Sequence, residues 1–538
     1  MRTRLPREKT RRSAIGALLG LLCAAVAIAV GELVAALVRP VAAPVIAVGN
    51  RFILLTPEPV KRWAIRNFGT NDKHFLLAGI YLAVAALAVV VGVLALRRLA
   101  LGIAGIGLLG LVGGYSALTA HAHRWPDAIP SVVGMCAGIG LLVGLHPLAA
   151  RAAMPSTAPA NGSEVRSGSA ASARSARPGA DRRRFLQVSA VTAGLAALGG
   201  LGGRALQRTR YDASAARAAI TLPPAATGTP VSPAVGAGYD LGKSGIGFIV
   251  PAADFYRIDT ALSVPQLDPA TWRLRIHGLV DRELTLTYAD LLARPLIERA
   301  ITLTCVSNEV GGDLIGNALF RGVRLADLLT EAGIKAGADQ LISSSSDGMT
   351  IGSPVAVVMD GRDSMLAVGM NGQPLPTEHG FPVRMVVPGL YGYVSACKWI
   401  VDIEVTTFAA NQAYWVQGGW AAQGPIRLAS RVDAPKSNAV VAVGSRVAIA
   451  GVAWDQHVGV SAVQVQIDQG EWQTATLAAV PSTDTWRQWV LVWTVASPGM
   501  HTITVRAVDA TGTKQDESIR DPYPSGATGL HRITVRAR

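Results

Sequence analysis

Between Arg12 and Arg39 the chain carries one charged residue, Glu32, and uncharged runs follow at 75–96, 99–120, 128–150 and 185–203. Each run has roughly the 20 residues a helix needs to cross a hydrocarbon core of about 30 Å. A chain with five such runs cannot be a single soluble domain, and the pattern predicts five membrane spans. The stretch 40–50 is too short to cross and contains Pro44, so it reads as an interfacial or re-entrant piece.

Charge divides the chain at the same place. Residues 1–210 hold 25 Lys and Arg against seven Asp and Glu, a surplus of 18, while residues 211–538 hold 25 against 29. The net +14 is therefore an average over two unlike parts. The positive charge flanks apolar runs, as membrane topology requires, so no nucleic-acid partner is expected. Arg2, Arg4, Arg7, Lys9, Arg11 and Arg12 precede the first span and place the N-terminus in the cytoplasm, and five crossings then put residues 204–538 outside. Arg97, Arg98 and the seven Arg of 151–184 fall inside, as the rule asks; Arg51, Lys61, Arg62, Arg66 and Lys73 do not. The sequence Arg182-Arg183-Arg184-Phe185-Leu186-Gln187, followed by an acid-free Ala/Gly/Leu run, resembles a twin-arginine export signal. Three arginines capping the cytoplasmic end of an ordinary helix are the alternative. The expected order is a four-span membrane region at 1–150, a cytoplasmic linker at 151–183, a fifth span at 184–204 and an extracytoplasmic linker at 205–249.

From residue 250 the texture changes. Trp272 to Gly278 alternates like a strand ending in a turn, Leu284–Thr287 begins another, and a short helix from Tyr288 to Ala293 is stopped by Pro295. Residues 250–412 therefore read as a mixed α+β domain. Residues 430–538 are strand and turn throughout: Ser445–Ala450, Val463–Trp472 and His501–Val508 alternate with period two between Gly, Asp and Pro turns. That is the pattern of an immunoglobulin-like β-sandwich. The whole is a multidomain chain with an all-α transmembrane anchor, an α+β domain and a β-sandwich.

Four cysteines exclude a disulfide-dense scaffold. Cys23 and Cys136 lie in apolar spans and read as small buried hydrophobes. Cys305 and Cys397 are the only two beyond the membrane region, where an oxidising compartment would allow them to pair. The neighbourhood of Cys305 argues for another use. It runs Leu303-Thr304-Cys305-Val306-Ser307-Asn308-Glu309-Val310-Gly311-Gly312, and Phe320 to Leu329 follows. A strand delivers the cysteine to a Gly-rich loop, with a helix expected after it.

This segment resembles the sulfite oxidase family of molybdenum enzymes, whose strand-end cysteine coordinates the metal beside a molybdopterin. The resemblance continues through Asn371–Gly389, through Gly392 to Trp399, and into the terminal region at Gly451–Trp454, Gly459-Val460, Asp468–Trp472 and Trp486. It covers 250–538, so it implies a sulfite-oxidase-like molybdopterin domain followed by the family's C-terminal sandwich, through which a homodimer could form. By the same resemblance Cys305 is both catalytic residue and metal ligand. Soft sulfur suits molybdenum in its higher oxidation states. His379, Arg384 and Lys398 would supply charge-assisted donors to the pterin phosphate, Arg384 in two-pronged fashion. Asn308 would hold the loop or the cofactor. Phe255 and Tyr256 resemble the cofactor-contacting Phe-Tyr pair of periplasmic methionine sulfoxide reductase, a branch of the same family.

The departures concern the substrate. Sulfite oxidases follow the loop Asn with two arginines and carry an earlier Arg-Asn-His; here the positions are Glu309 and Val310, and Arg257-Ile258-Asp259-Thr260. A Glu in place of Arg turns attraction for a dianion into repulsion. Sulfite is accordingly doubtful, and a neutral oxygen-atom donor or acceptor such as a sulfoxide or N-oxide is expected. Electrons must pass to a redox partner or a quinone. No intrinsic haem is expected: His74, His121 and His123 fall near the outer membrane face and His146 near the inner end of span four, which reads as polar capping of helix ends. The expected protein is a membrane-anchored, extracytoplasmic molybdopterin oxidoreductase of a bacterial cytoplasmic membrane, acting on a small molecule. The alternative class is a non-catalytic surface or binding protein that retains the fold, and a third reading, a transporter, is disfavoured by the scarcity of charge within the spans.

Overall fold

The computed structural model describes residues 4–68, 71–120, 124–154, 178–228 and 247–538. They form two compact units, Met1–Asp212 with Thr260–Ser263, and Ala213–Asp259 with Val264–Arg538.

The first unit holds five long apolar helices, Arg4–Val38, Asp72–Ala95, Leu99–Leu118, Ile129–Ala153 and Pro178–Arg210. All five are long and apolar enough to cross a membrane. Pro44–Leu55 is a separate helix of 12 residues with proline at its first turn, too short to cross. Glycines let the long helices touch: a Cβ on Gly20 would fall 1.9 Å from the carbonyl oxygen of Ala88, so the first two long helices meet backbone to backbone. Glu32 is buried and accepts a hydrogen bond from Gln207 Nε2 at 2.9 Å, joining the first and last of them.

Cys23 is buried, but Cys136 is exposed, contrary to the expectation that both would be buried. Its helix turns Gly134 and Gly138 inward against Ala27. A residue midway between two positions four apart stands on the opposite face of a helix. His146 Nε2 lies 3.1 Å from the carbonyl oxygen of Ala95, and His74 is exposed. His121 and His123 lie outside the described residues.

The second unit contains the α+β domain and the sandwich. One mixed sheet runs in the order Thr227–Gly228, Leu296–Thr304, Ile315–Arg324, Met365–Met370, Arg384–Val386, with Gln373–Pro374 paired to Met365–Met370 off this path. A second runs Leu284–Thr287, Arg273–Gly278, Ile400–Thr406, Gln340–Ser345, Thr350–Pro354. Met365–Met370 is buried along its whole length because its faces serve two cores: Leu366 and Val368 join Leu274, Ile276, Leu328 and Ile403, whereas Met365 and Ala367 join Ile301, Leu303, Phe320 and Phe381. A strand buried on both faces loses the alternation by which strands are recognised, which is why it carried no sequence signal.

Two expectations change here. The loop after Cys305 leads first into the strand Ile315–Arg324, and only then into the helix Leu325–Ala332. That strand is paired on both sides, with Leu296–Thr304 and with Met365–Met370, which satisfies its backbone. The linker expected at 205–249 is partly structured: Ala213 is buried, Ser214–Ala218 is a helical turn, and Arg217 donates to the carbonyls of Leu375 and Pro374 at 2.8 Å each. Thr227–Gly228 then pairs in parallel with Ile297–Glu298. Residues 229–246 and 155–177 of the two expected linkers lie outside the described residues.

The sandwich packs the sheet Ala429–Ala434, Arg446–Trp454, Arg487–Thr494, Thr476–Leu477 against Val440–Val441, His531–Ala537, Gly499–Asp509, Val460–Ile467, Gln473–Thr474. Its core holds Ile449, Val463, Val465, Trp489, Ile503, Val505 and Val535, all of them fully buried.

Candidate active site

Cys305 follows directly on the last residue of the strand Leu296–Thr304. The loop beyond it is closed by short-range bonds. The Cys305 N–H donates to Leu314 O at 2.9 Å, the Asn308 N–H to Cys305 O at 3.0 Å, and Leu314 N–H to Asn308 Oδ1 at 2.9 Å. Asn308 thus pins both ends of the loop. Burial pushes the Cys305 thiol up, against the opposing pull of hydrogen bonds from Ser307. Cys305 and Cys397 are both free thiols.

The strand that carries Cys305 gains its other support from the sandwich. Beyond Glu298 this edge of the strand pairs with no further strand among the described residues, and residues of the sandwich domain line it. Thr302 N–H donates to Asp484 O at 3.0 Å, Trp486 N–H donates to Thr302 Oγ1 at 2.7 Å, and Gln456 Nε2 donates to Thr302 O at 3.2 Å. Thr302 Oγ1 in turn donates to Asn317 Oδ1 at 3.0 Å. The loop is held from the same side: Arg431 donates to Gly312 O at 2.7 Å, and a Cβ on Gly311 would fall 2.3 Å from His531. With φ at +76° Gly311 also needs the left-handed region, so glycine is required there twice over. None of this bracing was legible in the sequence.

Tyr256 connects the cysteine to a group of the other expected residues. Phe255 is buried, stacks on Tyr256 at 5.1 Å and meets His379 edge-on at 5.6 Å. Tyr256 is affected by the charges of both Cys305 and Arg384, and burial raises its hydroxyl well above the usual range. The three expected phosphate donors differ sharply. Lys398 Nζ donates to Asp259 Oδ2 at 2.8 Å and to Glu378 O at 3.2 Å, and burial pulls it down to about 8. His379 Nε2 lies 2.9 Å from Ala252 O, and burial lowers it to about 4, so it is neutral at pH 7. Arg384 is only 5% exposed, lies over the Phe320 ring and donates to His379 O at 3.3 Å. Its Nε is buried with no acceptor, and burial lowers the group to about 10. No carboxylate pairs with it among the described residues.

A buried guanidinium without a counter-anion costs several kcal/mol by order of magnitude, and such groups persist where a ligand supplies the missing charge. A strand-end thiol and an unmatched, buried, forked cation, both acting on Tyr256, fit a group that offers a metal to sulfur and a phosphate to arginine. Gly380, at φ +108°, makes this possible: a Cβ there would lie 3.0 Å from Arg384 Cβ and 3.1 Å from Lys398 Cα.

One cleft opens next to the loop. It is lined by Thr304, Asn308 and Glu309 on the loop side and by Tyr391, Arg427 and Trp454 among others. Arg427 Nε and Nη2 donate to Ser525 O and Oγ at 2.8 and 2.7 Å. Neither Tyr391 nor Arg427 stands in a chemical motif, so no local signal in the sequence marks them.

The fold and this donor set define a molybdopterin-binding oxidoreductase. Residues 261–415 match the family model of an oxidoreductase molybdopterin binding domain, and residues 430–505 that of a bacterial Ig domain. Mitochondrial sulfite oxidase of Mus musculus is 30% identical over 323 residues, 51% of this chain and 58% of that protein. The chain thus spans little more than half the length of that relative. An uncharacterized oxidoreductase of Bacillus subtilis, YuiH, is 34% identical over 157 residues, 29% of this chain and 76% of that protein. NADH nitrate reductase 1 of Oryza sativa is 32% identical over 220 residues, 36% of this chain and 23% of that protein. The chain belongs to the sulfite oxidase family of molybdenum cofactor-dependent oxidoreductases.

Proposed function

We propose that this enzyme is anchored in a bacterial cytoplasmic membrane, works on the extracytoplasmic side, and transfers an oxygen atom to or from a small neutral oxo compound such as a sulfoxide or N-oxide. The balanced reaction is R2SO + 2 e⁻ + 2 H⁺ ⇌ R2S + H2O, the electrons passing to or from a redox partner or a quinone. When bound, the molybdenum centre supplies the two-electron oxygen-atom chemistry. Cys305 is its protein ligand, and Arg384 holds the pterin phosphate. Phe255, Tyr256 and His379 wall the cofactor, with Lys398 held behind them by Asp259. Asn308 fixes the loop. The five apolar helices and the charge asymmetry of the first 210 residues support the anchor and its orientation, and the segment Arg182–Gln187 supports folded export.

The observation that carries the substrate reading is the charge of the cleft beside the loop. Among its described lining residues it has one arginine, Arg427, tied to Ser525, and one glutamate, Glu309, so the cleft offers a dianion no net positive charge. Sulfite, dimethyl sulfoxide and trimethylamine N-oxide should be compared at equal concentration with an artificial electron carrier, using full-length holoenzyme in detergent. Turnover of either neutral compound above that of sulfite is expected. Faster turnover of sulfite than of both would end the reading.

A further inference from the structure

The wall of the cleft offers two hydrogen-bond donors that the chain does not use. Tyr391 is 4% exposed, and its hydroxyl oxygen accepts the Arg427 N–H at 3.4 Å, while its own hydrogen has no acceptor among the described residues. Asn308 is 8% exposed; its Oδ1 is taken by the Leu314 N–H, and its Nδ2 donates to nothing among the described residues. The Tyr391 backbone carbonyl accepts from Ser395 Oγ at 3.0 Å, and Gly526 stands close against the phenol, where a Cβ would fall 2.2 Å from the hydroxyl. A polar hydrogen without a protein acceptor is matched by water or by a ligand, so two such donors on the wall of one cleft mark a place where an acceptor oxygen can be received.

We propose that the Tyr391 hydroxyl, seconded by Asn308 Nδ2, donates a hydrogen bond to the oxygen of the bound neutral oxo substrate and so sets both its orientation and the enzyme's preference for oxygen-bearing over oxygen-free ligands. This rests on the neutral-substrate reading above and names the residue that enacts it. Two uncharged donors recognise a dipolar S–O or N–O oxygen without calling for net charge, as an oxygen-atom exchange between neutral partners requires. No proton leaves Tyr391; the two protons of the balanced reaction come from water.

The test measures binding apart from turnover. Dimethyl sulfone, which presents acceptor oxygens, and dimethyl sulfide, which has none, are titrated calorimetrically into full-length holoenzyme, wild type and Tyr391→Phe. Wild type should bind the sulfone roughly three- to ten-fold more tightly than the sulfide, and Tyr391→Phe should lose that margin while binding the sulfide unchanged, as removal of one hydrogen bond predicts. Equal weakening of both ligands would mean a merely structural role and would overturn the assignment, as would an unchanged margin. If Tyr391→Phe does not fold, as judged by molybdenum content and melting, the wild-type comparison still decides: equal affinity for sulfone and sulfide refutes the site. A sulfone margin that Tyr391→Phe abolishes, in an enzyme that turns over only sulfite, would refute the neutral-substrate function while leaving the site standing.

Discussion

The α+β domain and the sandwich are both β-rich and both close around large apolar cores, yet they treat buried polar groups differently. In the sandwich the polar groups are matched nearby. Ser430 Oγ donates to Gln515 Oε1 at 2.7 Å, His501 Nδ1 lies 2.9 Å from Asp468 Oδ2, and Asp509 Oδ1 accepts from Thr511 and Thr513; the Trp489 indole N–H and Gln456 Oε1 are exceptions. In the α+β domain Arg384 is buried with its Nε unmatched, and two donors in the adjoining cleft are idle. A domain that only has to fold can satisfy its own groups, whereas one that binds an anionic cofactor leaves some for the ligand.

The comparison can be broken at several points. The largest effect is expected from Cys305→Ser: molybdenum content and turnover should fall to background, while the melting temperature of cofactor-free protein stays put, because exchanging sulfur for oxygen barely changes the packing. Retention of the metal's redox signal would contradict the ligand assignment. In the sandwich, Trp489→Ala should cost about 3–5 kcal/mol in denaturant unfolding, the loss typical of a large aromatic removed from a filled core. A loss below roughly 1 kcal/mol would mean that the core collapses around the cavity.

An acid titration of cofactor-free protein probes the polar pocket. His379 has its folded pKa lowered to about 4 from 6.5, so between those values the unfolded chain takes up a proton that the native state refuses. Stability should therefore fall as pH drops through 6.5 toward 4 and level off below, by about 3 kcal/mol in all. His379→Gln should flatten that part of the curve, and a wild-type slope unchanged by the substitution would disprove the attribution. The smallest effect has the most telling sign. Arg384→Met should stabilise cofactor-free protein by about 1–3 kcal/mol, since a buried unpaired charge gives way to an apolar group, yet weaken cofactor retention. Destabilisation of the cofactor-free form would show that the guanidinium is satisfied without a ligand.

Much of this architecture could be read locally. The five apolar helices follow from charge spacing, the strand Arg273–Gly278 from alternation, and the sandwich from repeated period-two strands between turns. Cys305 and the segment from His379 to Lys398 stood out through long matching stretches in the right order. The strand Met365–Met370 did not, because both its faces are apolar, and residues 213–228 looked like linker because their partners, at Ile297 and at Pro374–Leu375, lie far along the chain.

The sequence by itself determined which residue types are present at the site and in what order, and that five runs within the first 210 residues would be apolar helices. Only the tertiary structure decided which of two cations is left without an anion. Lys398 meets Asp259 across 139 positions, and Arg384 meets none among the described residues. Only folding, too, lays Gln456 and Trp486 against the strand that delivers Cys305. Local patterns fix what a segment becomes because they depend on neighbours within a few residues. Charge matching and edge pairing depend on groups that meet only when distant segments pack, so they appear only in the fold.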